Sequence, residues 1–220
     1  MKTNQVTPYM VIINYYTLVY LFLGTLFLLT FNGTFYLQII IFLFWIYVVP
    51  PSLCRLILLF FSLPAGYSYP STRPYKVWWL LTQFQVIFNR IPFFEEVLRM
   101  VPGLYGTWLN LWGSKVSLMA YWSPGVVVTD RYLLQIEKGA ALGLNCTLVG
   151  HVITKDEKEG YRLLVAPIIV ENGAVVGGSS MIGPGAHIHA NELLPADRHL
   201  PPFTRWKDGK KHRITQPNIN

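Results

Sequence analysis

Charge is what this sequence has least of. Only 13% of its 220 residues are Asp, Glu, Lys or Arg, about half the roughly 25% of an ordinary soluble domain. The shortage is uneven. Between Lys2 and Arg55 there is no charged residue, and all eleven acidic residues lie beyond Leu63. An uncharged apolar segment therefore precedes a more ordinary C-terminal part. Cysteine is scarce too: Cys54 ends an apolar stretch and Cys146 lies inside a repeat. No disulfide framework is expected, and a reducing compartment fits. No nucleic-acid motif accompanies the net charge of +7. The basic residues stand singly except for Arg205, Lys207, Lys210, Lys211 and Arg213. That cluster suits anionic lipid or a phosphorylated small ligand, or is a solvated tail. A Ser-His-Asp set and a nucleophile elbow are also missing, so no covalent nucleophile of that kind is expected.

What the N-terminal segment does have is length. Val11 to Leu29 is apolar except for Asn14, Thr17 and Thr25, and a membrane-spanning helix needs about 20 such residues. Phe31-Asn32-Gly33-Thr34 supplies turn chemistry. A second run, Phe35 to Val49, meets Pro50-Pro51 and continues from Leu53 to Leu63. Residues 1–66 read as a transmembrane helical hairpin whose second arm kinks or ends near Pro50. A cleavable signal peptide fits less well, because only Lys2 marks the n-region and no small-residue cleavage pattern precedes the second run. Lys2 before the first arm, with Arg55, Arg73 and Lys76 after the second, places both hairpin ends in the cytoplasm. Residues 67–110 carry Trp78, Trp79 and Trp108, close to Trp112, and read as an aromatic interfacial linker. In it Lys76 to Asn89 lies flat on the bilayer and Phe93 to Met100 forms a short helix, or these aromatics pack on the following domain.

From Ile136 the sequence recurs in sixes. The first place of each six holds Ile136, Leu142, Leu148, Val170, Val176, Ile182 and Ile188, all branched aliphatics suited to a narrow core. The fifth holds Ala140, Cys146, Val152, Ala174, Ser180 and Ala186, all small. The fourth holds Gly139, Asn145, His151, Gly173, Ser179, Gly185 and Asn191, mostly types that tolerate positive φ. Short strands with a corner every six residues coil into a prism. An alternating sheet would show period two and turns every 8–12 residues. Upstream the register loosens: Trp112-Gly-Ser-Lys-Val fits, but Asp130 falls where an aliphatic should be.

These columns resemble the left-handed β-helix of the hexapeptide-repeat acyltransferase family, in which three sixes make one coil. The resemblance covers residues 136–193 closely and extends back toward residue 111. It implies a single-stranded left-handed parallel β-helix over 111–200, which with the apolar hairpin before it and the basic tail over 201–220 makes an α+β chain. It also implies acyl transfer from a thioester to a hydroxyl or amine, with no tightly bound cofactor. The donor is acyl-coenzyme A or an acyl carrier protein, and active sites lie between subunits of a homotrimer. A membrane anchor points to a membrane-proximal acceptor such as a glycolipid or lipid-linked sugar. The rival is a non-catalytic membrane scaffold built on the same prism.

Acyl transfer asks for a base near neutral pKa, and His151 fits: it stands at a corner where the repeat breaks and Thr154 to Ile169 must loop out. The alternative is that His151 only fills the corner, as Asn145 does one unit earlier. Its orienting carboxylate is Asp130 or Glu171, with Asp156 behind them. Lys210 and Lys211 suit the phosphates of coenzyme A, and Trp206 its adenine. His151, His187 and His189 together resemble the three-histidine zinc site of the γ-class carbonic anhydrases, which share the fold. Two residues apart, however, His187 and His189 are expected to point differently around a corner, and the arginine-flanked strand pattern is absent. No metal site is expected.

Overall fold

The computed structural model describes residues 7–156 and 160–214. Lys2 and the loop residues Glu157, Lys158 and Glu159 lie outside them. The chain begins with two helical arms, α1 (Pro8–Asn14) with α2 (Tyr16–Thr30), and α3 (Phe35–Tyr47) with α4 (Val49–Phe60). By length and composition both arms are able to cross a membrane: 23 residues at mean hydropathy 1.8 and 26 residues at 2.0. The arms touch where Gly24 faces Trp45, because a Cβ at Gly24 would fall 2.3 Å from the indole nitrogen. Small residues let helices approach in this way. Tyr20 stacks on the same indole with ring centroids 4.7 Å apart. Pro50 and Pro51 mark the expected break, since α3 ends at Tyr47 and α4 begins at Val49, but the arm continues beyond them. They occupy the first turn of α4, where the missing N–H has no partner to lose.

From Lys115 the backbone forms a three-sided coil of parallel strands. One face stacks Val116, Ile136, Val170, Ile188 and Trp206. The second stacks Trp122, Leu142, Val176 and Leu194. The third stacks Val128, Leu148, Ile182 and Leu200. The aliphatic column of the sequence is thus the prism's core, and its members from Ile136 to Ile188 are at most 1% exposed. The fourth-place residues turn the corners with φ between 55° and 72° at Gly139, Asn145, Gly173, Ser179, Gly185 and Asn191. The fifth-place residues Ala140, Cys146, Ala174, Ser180 and Ala186 are buried at those corners. There is no room for a larger group there. Ala174→Leu is expected to destabilise the domain by about 1–3 kcal/mol through overpacking, measurable as a lowered denaturation midpoint.

His151 and Val152 leave the column. His151 does not turn a corner; it starts a strand, His151–Asp156, that pairs antiparallel with Gly160–Val165. The excursion is therefore a β-hairpin rather than an irregular loop, and Gly66–Ser68 adds a third strand to it. The loosened upstream register also has a cause. Val116, Trp122 and Val128 keep the six-residue spacing, and the next core residue on the first face is Ile136. Two extra residues between them let the Asp130–Leu133 segment bulge from the edge, so Asp130 never occupies a core slot.

The linker is a buried strut. In α5 (Arg73–Arg90) nine residues are buried, and the helix contacts α1, α2 and α4. Its aromatics thus pack on protein, the second of the two readings given for this segment. After α6 (Phe93–Arg99), α7 (Leu104–Trp112) closes the first coil of the prism. Trp108 and Trp112 are 5% and 0% exposed and join one core with Val116 and Leu134. Terminal repeats need such caps, since each coil otherwise exposes its apolar interior. At the other end, among the described residues, 204–213 are not a free tail: Thr204–Lys207 extends the first face and pairs antiparallel with Lys210–Arg213.

Candidate active site

The bulge at Asp130 and the departing strand at His151 meet on one prism edge, after Val128 in the first coil and Leu148 in the second. His151 Nδ1 lies 2.6 Å from Asp130 Oδ2. The Thr129 hydroxyl donates to the same oxygen at 2.6 Å and accepts the Gly150 N–H at 3.3 Å. The Trp78 ring of α5 packs on the imidazole with centroids 4.8 Å apart. Asp130 is 1% exposed, whereas the His151 side chain keeps 25% of its surface. The carboxylate is enclosed and the imidazole reaches out from it.

The electrostatics follow from that enclosure. Burial alone would raise the Asp130 carboxyl, but the hydrogen bond and charge of His151, with the Thr129 hydroxyl, hold it below the ordinary range. Burial alone would lower His151, but the Asp130 hydrogen bond and charge hold it above. With Nδ1–H given to Asp130, a neutral His151 carries its lone pair on Nε2. That tautomer is the one a general base needs.

Gly150 makes the approach possible. A Cβ there would fall 2.8 Å from Asp130 Cβ and 3.0 Å from Oδ2. Gly150→Ala is expected to push Asp130 from His151 and to return the imidazole pKa toward 6.5. Titration of the His151 ring resonances by NMR measures this.

The other expected partners stand elsewhere. Glu171 is on a different edge, after Val170 of the first face, and its Oε1 lies 2.5 Å from His187 Nε2. It does not orient His151. Asp156 lies at the far end of the hairpin, 3.8 Å from Arg162. Trp206 is not available to stack on adenine: it is 8% exposed in the last coil and its indole N–H donates to Leu193 O. Lys210 and Lys211 are exposed on the terminal hairpin, with Lys211 Nζ 2.8 Å from His199 O. His187 and His189 do not diverge around a corner; their rings stack 4.3 Å apart, and Glu171, not His151, stands beside them.

Sequence reading missed Thr129, Trp78 and Gly150, which carry no motif of their own. It also missed a buried ionic cluster next to the site. The Arg131 side chain is 1% exposed. It donates to Glu95 Oε1, to Asn89 Oδ1 at 2.8 Å and to Gln85 Oε1 at 3.3 Å. Arg99 bonds the other Glu95 oxygen at 3.2 Å and the Tyr105 hydroxyl at 2.9 Å. Asn89, Glu95, Arg99 and Arg131 border a cavity of about 290 Å³ whose wall includes Thr129, the residue that also holds Asp130. The spacing of Glu95, Glu96 and Arg99 on one short helix was a legible signal. Their pairing with Arg131 was not.

No protein-family model matches the chain, and no curated protein matches it by sequence. Solved structures do. A hexapeptide-repeat-containing acetyltransferase from Vibrio cholerae is 12% identical with a TM-score of 0.35, over 55% of this chain and 85% of that one. The same enzyme complexed with acetyl-coenzyme A is 11% identical with a TM-score of 0.34, over 59% and 86%. A maltose O-acetyltransferase from Clostridium difficile 630 is 10% identical with a TM-score of 0.28, over 70% and 95%. Similarity of this degree leaves the reaction to be read from the residues.

Proposed function

We propose that this chain is a membrane-anchored acyltransferase in which His151 is the general base and Asp130 orients it. The supporting observation is the 2.6 Å contact between a buried carboxylate and a partly exposed imidazole on a prism edge. In the reaction, Nε2 of His151 takes the proton from an acceptor hydroxyl or amine as that atom attacks the thioester carbonyl. The C–S bond breaks, and the departing thiolate receives the proton from the imidazolium. Base and acid are the same residue, so the site ends as it began. Acyl-coenzyme A or an acyl carrier protein is the donor, and the acyl group is acetyl. Lys210 and Lys211 meet donor phosphates; Trp206 has no part in it.

In this reading the prism is a left-handed coil, and three chains associate through its flat faces. A neighbouring subunit then completes the wall around His151. The two apolar arms cross the bilayer with both ends in the cytoplasm, and the acceptor is a glycolipid or lipid-linked sugar. The reading is tested by reconstituting the full chain in liposomes with a lipid-linked sugar extract and labelled acetyl-coenzyme A or acetylated carrier protein. Label is expected in the lipid fraction. No transfer from either donor, together with no donor-induced stabilisation, would leave the scaffold reading standing.

A further inference from the structure

We propose that Glu171, His187 and His189 form a binding site for a divalent transition-metal ion of the zinc class, clasping two successive coils of the prism. Glu171 leaves the third coil just after Val170. His187 and His189 flank Ile188 in the fourth, and Val170 and Ile188 are direct neighbours on the first face. One donor atom from each of the three side chains lies within 4.8 Å of the other two. Oε1 of Glu171 is 2.5 Å from His187 Nε2, and Oε2 is 3.6 Å from His189 Nδ1. Zinc–ligand bonds of about 2.0–2.2 Å with tetrahedral angles put donors roughly 3.4 Å apart.

Two features favour a ligand over a simple ion pair. Nδ1 of His189 faces Glu171 Oε2 at 3.6 Å, too far for a hydrogen bond, so the nitrogen turned toward the cluster is not already committed to one. The rings of His187 and His189 stack, which aligns two imidazoles beside one carboxylate. Two imidazoles and a carboxylate form a donor set used for zinc and for iron(II). The donor types, and not the neighbouring positive charge, which opposes any dication alike, select against hard cations. Arg205 pairs with His187 on the next strand, and Arg205 and Lys207 both act electrostatically on His189. Calcium and magnesium depend on several oxygen ligands, whereas a zinc-class ion binds neutral imidazole through its nitrogen. Three protein ligands leave one position for water or for a side chain of another copy. Bound there, the ion ties the third coil to the fourth beyond the hairpin. The site lies on a different edge from His151, so its test is independent of the acyltransferase reading.

Untagged full-length protein in detergent, stripped with chelator, is titrated with Zn²⁺ against a chromophoric chelator and with Co²⁺ by its visible absorption. One Zn²⁺ per chain is expected, with Co²⁺ giving d–d bands of nitrogen–oxygen coordination and a Zn²⁺-dependent rise in melting temperature. His187→Ala with His189→Ala, and separately Glu171→Gln, are expected to weaken Zn²⁺ at least tenfold and to remove that rise. His151→Ala is expected to bind as wild type does. The proposal is overturned if wild type takes up no stoichiometric Zn²⁺ or Co²⁺. It is equally overturned if both the double variant and Glu171→Gln bind undiminished.

Discussion

His151→Ala is expected to reduce kcat by about 10²–10⁴-fold, the usual contribution of a positioned general base, while the protein stays folded with a lowered melting temperature, because buried Asp130 loses its partner. Donor binding should be little changed, because in the proposed reaction the imidazole acts on the acceptor proton. The pH profile carries the sharper test. Only neutral His151 accepts a proton, and Asp130 holds its pKa above the ordinary 6.5. The acid limb of kcat/KM is therefore expected above pH 6.5. Asp130→Asn should move that limb down, because the amide keeps the burial and removes the charge that opposed it. A limb unmoved by Asp130→Asn, with activity retained in His151→Ala, would remove both residues from the mechanism.

The same pair links stability to pH, and the sign differs for its two members. The raised His151 pKa contributes stability that is complete below 6.5 and lost as pH rises through the raised value. The lowered Asp130 pKa contributes stability that is present above its ordinary 3.8 and lost as pH falls through the lowered value. The dyad is thus most stabilising between about pH 4 and 6.5.

The second large effect is on folding. Arg131→Met is expected to destabilise the protein by about 3–5 kcal/mol, because Glu95 would keep its burial and lose a principal cation. Glu95→Leu alone should cost a similar amount by stranding Arg131 and Arg99. The double variant Arg131→Met with Glu95→Leu should cost less than the two single changes summed. Chemical denaturation of all four proteins gives the coupling energy. Additive losses would show that the cluster is not the clamp between α6 and the first coil that its hydrogen bonds describe.

Much of the prism was readable in one dimension because its physics is local. A corner needs a residue that accepts positive φ, the next residue must be small, and the strand after it must bury an aliphatic. Each requirement repeats every six residues and leaves its mark on one column. The break after His151 was legible for the same reason, as a failure of the columns. The strut α5 was not. Its Trp78, Phe84 and Phe88 have the composition of a bilayer interface, and apolar side chains do not record whether lipid or protein covers them. Pro50 and Pro51 mark a helix start as readily as a helix end, so their position relative to α4 needed the backbone.

The site shows the same division more sharply. Sequence by itself determined the repeat, its core and corner residues, the apolar arms, and His151 as the histidine beside the interruption. Only tertiary structure decided that Asp130 rather than Glu171 faces it, and that Glu171 joins His187 and His189 instead. Asp130 and His151 are 21 residues apart, Glu171 and His151 only 20. What separates the two carboxylates is the pair of extra residues before Ile136, which throws Asp130 outward at the edge where His151 departs. Chain distance carries no information about which edge of a coil a side chain occupies. The stacking register carries it, and that exists only once the strands have paired.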